Sequence, residues 1–246
     1  MRYLIQLSYK GTHYHGWQRQ HNALSVQGIL EEKLSLLIGQ PTETLGCGRT
    51  DTGVHAKNYY AHFDTEQPVN KEQLVYKLNQ VLPKDIAVFK VMEVSTDFNA
   101  RFDATWREYE YWITQTPNPF LLEQAWFQYG QVNIEHMNKA AQLLIGKHDF
   151  KSFSKVHTQV NNFICEVMIA EWSVAGDQLV FTIRANRFLR NMVRAIVGTL
   201  LEVGKNKLTL TDVSNILESK NRCEAGQSVP AHGLYLTKIN YNNLPL

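Results

Sequence analysis

Cysteine is scarce. The 246 residues hold three, Cys47, Cys165 and Cys223, far apart and without a CxxC pair. An odd and scattered set excludes a disulfide framework and points to reduced thiols in a cytoplasmic protein. No stretch approaches 18 consecutive apolar residues, which excludes a membrane-spanning helix. The N-terminal MRYLIQLSYKGTHY carries only a short alternating apolar run and no small-residue cleavage site, so it reads as a first β-strand and not as a signal peptide. The nine histidines show no HExxH or other metal-ligand spacing, and neither a P-loop nor a dinucleotide fingerprint occurs. The chemistry therefore has to come from side chains alone, with no metal and no cofactor.

What is present suits an ordinary globular chain, 44% hydrophobic, 20% charged and 11% aromatic, long enough for one large domain or two smaller ones. A net charge of +2 is too small to argue for nucleic acid by itself, but its distribution is uneven. No acidic residue precedes Glu31, whereas Arg2, Lys10, Arg19 and three histidines do. Between Arg184 and Lys207 six basic residues face one acidic residue, Glu202. Local basic stretches on a nearly neutral chain suit a polyanion held in one orientation.

Strand and helix signals recur twice in the same order. Alternating RYLIQLSY predicts a strand, and SVQGILEEKLSLLIG predicts a helix with Val26, Ile29, Leu30, Leu34 and Leu37 on one face. Short strands follow around ETLGCG and HAKNYYAHF, then a helix NKEQLVYKLNQVL with Asn70 and Gln73 spaced as a capping pair, then strand IAVFKVMEV. The second half offers strand REYEYWITQ, loop PNPFLLEQ and helix EHMNKAAQLLIG with Met137, Ala140, Ala141 and Leu144 on one face. Strands CEVMIAEWSV and QLVFTIRA, helix FLRNMVRAIVGTLLEVG, an inserted helix TLTDVSNILESK and strand GLYLTKINY complete it. The expectation is an α+β fold of two ferredoxin-like βαββαβ halves, residues 1–105 and 106–246. Together they would form a composite antiparallel sheet, with helices on one face and a central cleft for a ligand.

Three stretches carry polar chemistry. In GRTDTGVHA (48–56), Gly48 and Gly53 mark a tight loop in which Asp51 either caps a turn or presents a reactive carboxylate. An aspartic protease needs a second carboxylate sharing a proton, and no second Asp-Thr-Gly or Asp-Ser-Gly occurs. Arg49 nearby favours the ionised carboxylate, which suits a nucleophile or an ion pair. In FNARFDATWREYEYWI (98–113), Arg101 and Arg107 accompany Tyr109 and Tyr111, which share one strand face; such rings either pack a core or stack on a base. In ANRFLRNMVRAIVGTLLEVG (185–204), Arg187, Arg190 and Arg194 are expected along one helical face opposite Leu189, Met192, Val193, Ile196, Val197 and Leu200. Arg194, flanked by apolar residues, calls for an anionic partner, for which Asp51 is the candidate.

Together these stretches resemble the tRNA pseudouridine(38–40) synthases, the TruA family, nearly end to end. YKGTHYHGWQRQ and SVQGILEEKL resemble the family's N-terminal loop and the helix after it; GRTDTGVHA resembles its catalytic motif. FNARFDATWREYEY resembles the tyrosine motif and NRFLRNMVRAIVG the arginine motif, while KHDFKSF and HGLYLTKINY match further segments. Thr52 stands where many relatives carry alanine, and Arg190-Asn191 is a variable pair. The resemblance implies that Asp51 is catalytic, that Tyr109 stacks on the target uracil, that Arg194 pairs with Asp51, and that Arg49 helps hold the flipped uridine. It also implies a cytoplasmic homodimer acting on the anticodon arm of tRNA at positions 38, 39 and 40, with no cofactor and no role for DNA or membrane.

Overall fold

The computed structural model describes residues 1–156, 161–242 and 244. It is a mixed α+β structure with five α-helices among those residues, and it divides into two compact units, Met1–Thr105 with Tyr235–Leu246, and Trp106–Leu234.

In the first unit the order is β1 (Arg2–Tyr9), α1 (Val26–Ile38), β2 (Thr44–Gly46), β3 (His55–Asp64), α2 (Lys71–Val81) and β4 (Ile86–Val94). Strand β1 lies between β3 and β4, antiparallel to both, with Ile5 opposite Ala61 and Val91. This central position explains why Tyr3, Leu4 and Ile5 are all buried, although the sequence alternates. The short β2 adds to β3, with Leu45 opposite His62. Helix α1 starts where the Ser25 hydroxyl accepts from the Gly28 N–H and ends at Gly39 in the left-handed region. Val26, Leu30 and Leu34 form its buried stripe. Helix α2 is capped as its sequence predicts, the Asn70 side chain accepting from the Gln73 N–H.

The second unit contains β5 (Ala104–Thr114), β6 (Trp126–Phe127), α3 (Ile134–Gln142), β7 (Gly146–Asp149), β8 (Ile164–Ala175), β9 (Gln178–Ala185), α4 (Met192–Gly204) and α5 (Leu210–Ser219). Its antiparallel strands run β5-β9-β8-β7, with Tyr109 opposite Ile183 and Cys165 opposite His148. Helix α3 buries Met137, Ala140 and Ala141, the face its sequence predicts.

Three expectations are corrected. The last strand, β10 (Leu234–Tyr241), pairs in parallel with β3 (Tyr235 opposite His55, Leu236 opposite Ala56), so the sheet of the first unit is not wholly antiparallel. Residues from Tyr235 onward accordingly group with the first unit and not with the second half. A parallel pair needs a long crossover, which the whole second unit supplies. Helix α4 begins at Met192, four residues later than its apolar periodicity suggests. Asn186 is still held to β8, exchanging bonds with the Glu166 backbone, and Asn191 takes φ +67°. Arg187 and Arg190 thus precede the helix, and the three-arginine face does not form.

The turn after β4 is pinned to the first unit at several points. Arg2 makes a two-pronged bond to Asp64 directly opposite it and donates to the Phe98 carbonyl at 2.8 Å. The pair holds the Asp64 carboxyl below its usual range and raises the Arg2 guanidinium. The buried Ala100 donates its N–H to Nδ1 of His62 at 3.1 Å and accepts from the Tyr241 hydroxyl at 2.6 Å. Burial holds the His62 imidazole below its ordinary value; Arg2 adds to this, while Asp64 and Asp103 oppose it. A depressed value means that the contribution is whole above the ordinary imidazole range and is lost as pH falls through the folded value. Amide exchange at Ala100, corrected for its intrinsic rate, is expected to accelerate between about pH 7 and pH 5. His62→Gln, which keeps an acceptor without titrating, is expected to remove that pH dependence; wild-type protection unchanged down to pH 5 would contradict the account.

Candidate active site

The loop bearing Asp51 joins β2 to β3, and its backbone is anchored at both ends. Entering it, Cys47 donates its N–H to the Tyr60 carbonyl at 2.8 Å, and the Tyr59 hydroxyl donates to the Gly48 carbonyl. Leaving it, the Val54 N–H closes a turn onto the Asp51 carbonyl at 3.1 Å, with Gly53 at φ +78° in its third position.

A second loop, residues 10–25, packs against this one. The buried Thr50 side chain accepts the Trp17 N–H at 3.1 Å and shares a 2.9 Å hydrogen bond with the Tyr9 hydroxyl. The Tyr14 carbonyl accepts from the Gly53 N–H at 3.2 Å, and the Gly11 N–H donates to Nδ1 of His55 at 2.9 Å. The backbones also touch directly: a Cβ would stand 1.9 Å from the Val54 carbonyl oxygen at Gly11 and 2.1 Å from the Thr50 carbonyl oxygen at Gly16, where φ is +83°. Only glycine meets both demands. Beneath the loops Trp17 stacks on Tyr59 at 4.1 Å, with Tyr9 5.6 Å from Tyr59. The Tyr14 hydroxyl donates to Asp85 at 2.6 Å, and burial first, then that bond, pushes its pKa up, so it stays a donor. Asp51 is half-buried on this fixed backbone and Arg49 is exposed.

The other sequence candidates lie in the second unit. Tyr109 and Tyr111 share one face of β5, but their surroundings differ. Tyr111 is fully buried, and its hydroxyl donates to the Pro230 carbonyl at 2.8 Å. Tyr109 is half-buried, with its ring edge-on to Phe188 at 5.0 Å. Arg194, on the first turns of α4, donates from Nε to the Val229 carbonyl at 2.7 Å, while its own carbonyl accepts the Val229 N–H at 3.2 Å. Its charge is felt by two neighbours: it opposes the burial that raises the Tyr111 hydroxyl, and it adds to the burial that lowers His232. Segment 225–230 reaches this position because α4 is bare at Gly198, where a Cβ would lie 1.9 Å from the Gln227 carbonyl oxygen.

Two features were not foreseen from sequence. The Thr50 buttress joins residues 33 and 41 positions apart, which no local pattern reports; the glycines at 11 and 16 were its only signal. The basic stretches are also less basic in space than in sequence. Arg2 pairs with Asp64, and Arg19 with Glu31 and Glu43. Arg184 bonds the buried Glu108 at 2.6 Å, and Lys205 and Lys207 share Glu202.

None of the three cysteines forms a disulfide, and burial pushes Cys165 up to about 11. Among the described residues no cluster of histidine, cysteine, aspartate and glutamate is arranged to hold a metal, and no helix is long and apolar enough to cross a membrane. Thr50→Val removes the acceptor of the buried Trp17 N–H, so it is expected to cost about 1–3 kcal/mol in urea unfolding. Thr50→Ser should lie near wild type; equal losses for both would show that the methyl group matters and the hydroxyl does not.

A family described as tRNA pseudouridine synthase matches residues 6–103 and 140–242, which include the Asp51 loop and the Arg194 helix. The chain is 49% identical over 243 residues to tRNA pseudouridine synthase A of Parabacteroides distasonis, covering 98% of this chain and 96% of that protein. It is 49% identical over 242 residues to the Bacteroides fragilis protein of the same name, with the same coverage, and 39% identical over 239 residues to that of Clostridium acetobutylicum. The loop that fixes Asp51 thus comes in a chain that belongs, over nearly its whole length, to the tRNA pseudouridine synthase A family.

Proposed function

We propose that the protein isomerises uridine to pseudouridine in the anticodon arm of tRNA, at positions 38, 39 and 40, with Asp51 as the catalytic carboxylate. The observation that carries this reading is the Asp51 loop itself. In a chain of this family it holds one carboxylate, half-exposed, on a backbone fixed from both sides.

The reaction breaks N1–C1′ of the nucleotide, turns the uracil ring over and joins C5 to C1′; the hydrogen on C5 leaves and N1 gains one. Uracil stays in the pocket, so water is not a reactant and no second carboxylate is required, in contrast to glycoside hydrolysis. The ionised Asp51 attacks C1′ or C6, or removes a proton at the 2′-position. All three first steps use one carboxylate. The base must first leave its stack, at a cost of roughly a few kcal/mol. Stacking on the half-exposed Tyr109 ring and contacts from the exposed Arg49 offset that cost. In this reading Arg194, oriented by the Val229 carbonyl, is the ion-pair partner of Asp51.

The proposed frame is a pair of ferredoxin-like halves, with helices on one face of the sheet and a central cleft, acting as a cytoplasmic homodimer without a cofactor. Supporting it, the first unit has βαββαβ element order with β4-β1-β3 neighbours and β2 beyond β3. The second unit repeats strand, helix, hairpin and helix.

Asp51→Asn keeps size and hydrogen-bonding capacity but removes the charge. Pseudouridine formation on unmodified tRNA, with no metal or nucleotide added, is expected to fall at least ~10⁴-fold. Affinity for tRNA should change little, because phosphate contacts elsewhere dominate it. More than a hundredth of the wild-type rate, in a sample checked for deamidation, would remove Asp51 from the chemical step.

A further inference from the structure

The turn of residues 98–103 presents an aromatic ring to solvent on an unusually fixed backbone. Phe102 is 74% exposed, and the Arg101 guanidinium lies over its ring, 5.4 Å from the centroid. The turn closes on itself: the Asn99 side chain accepts the N–H groups of both Arg101 and Phe102, at 3.0 and 3.1 Å. Asp103 in turn accepts the Asn99 N–H at 2.8 Å, and its own N–H returns to the Asn99 carbonyl at 3.0 Å. The bonds from Arg2, His62 and Tyr241 to Phe98 and Ala100 tie the whole to the first unit. Folding buries Ala100 and leaves Phe102 outside.

We propose that Arg101 and Phe102 form a further tRNA-contacting site, in which one unpaired base stacks on the open face of Phe102, opposite the Arg101 guanidinium. The proposal rests on tRNA being the substrate. A protein partner would need a contiguous apolar patch, but Phe102 stands between Arg101 and Asp103, both exposed. A nucleobase needs only one ring face, and every base has a π-surface to offer it. A guanidinium on the far face turns a single ring into a cation–π platform. The carboxylates of Asp97 and Asp103 limit the local positive charge, which favours a base over a phosphate as the principal contact. Because the turn is already ordered, binding does not have to immobilise it, and more of the stacking free energy appears as affinity.

The test is a substitution series in the full chain, read by filter binding of unmodified tRNA and by pseudouridine formation. Base–aromatic stacking of this kind corresponds to roughly 5- to 150-fold in affinity. Phe102→Ala is expected to raise Kd and KM about 10-fold or more and to leave kcat at saturating tRNA unchanged. Phe102→Leu, equally apolar but without a π-face, should behave like the alanine variant, and Phe102→Trp should bind at least as tightly as wild type. Thermal unfolding should shift by no more than about 2 °C in any of them, because the ring packs against little else. Leucine binding as tightly as phenylalanine would overturn the proposal. So would a fall in kcat with Kd unchanged, or a change of oligomeric state by light scattering, which would mark Phe102 as a protein contact. Absence of pseudouridine from the wild-type reaction would count against the proposed function instead, since the binding series is read independently of turnover.

Discussion

The site depends on the contact between two loops of the first unit. One carries Asp51; the other, ahead of α1, carries Gly11, Tyr14, Gly16 and Trp17. Apart from one 3-10 turn at Gly11–His13, neither has regular structure of its own. They fix each other because Thr50 turns its hydroxyl inward to Trp17 and Tyr9, and because Gly16 lets the Thr50 carbonyl approach more closely than any side chain would permit. The aromatic stack of Trp17 on Tyr59 forms the apolar floor beneath them. In the proposed function Asp51 acts on one atom of a flipped nucleotide and needs this kind of support, since a displacement of about 1 Å can cost 10²-fold in rate.

The second unit follows the same rule with different parts. Helix α4 exposes backbone at Gly198, and segment 225–230 packs there closely enough for the Val229 carbonyl to take the Arg194 Nε–H. An arginine held by a main-chain carbonyl loses much of its rotational freedom. Buried Tyr111, on the same strand face as half-exposed Tyr109, anchors that face through the Pro230 carbonyl. In both units polar residues point inward to hold a neighbour that points outward.

Much of this was legible in the sequence. Helices α1, α2 and α3 were, because their apolar periodicity and caps agree, and so were the longer strands; the short β6 and β7 were not, having too few residues to show an alternation. The beginning of α4 was not. Leu189 and Arg190 continue its pattern upstream, but the bonds of Asn186 to β8 and the left-handed Asn191 are set by tertiary contacts. The partner of β10 was hidden because parallel pairing with β3 joins residues about 180 positions apart, beyond any local signal. Charge runs misled for a similar reason. The acidic partners of Arg19 and Arg184, Glu31 and Glu108, lie far off in sequence, so a linear excess of basic residues is not a surface excess. The tight turn around Asp51 was legible because Gly48 and Gly53 flank it. The buttress behind it was not, being assembled from residues 9, 17 and 50.

The central claim is that the loop contact at Gly16, and not Asp51 alone, sets the geometry for reaction. Single-turnover pseudouridine formation by Gly16→Ala at saturating tRNA tests it most directly. The account predicts a rate lower by about 10²-fold with tRNA affinity essentially unchanged, because the added methyl displaces the Thr50 carbonyl and with it the Asp51 backbone. A Gly16→Ala protein that is folded and turns over at the wild-type rate would contradict it.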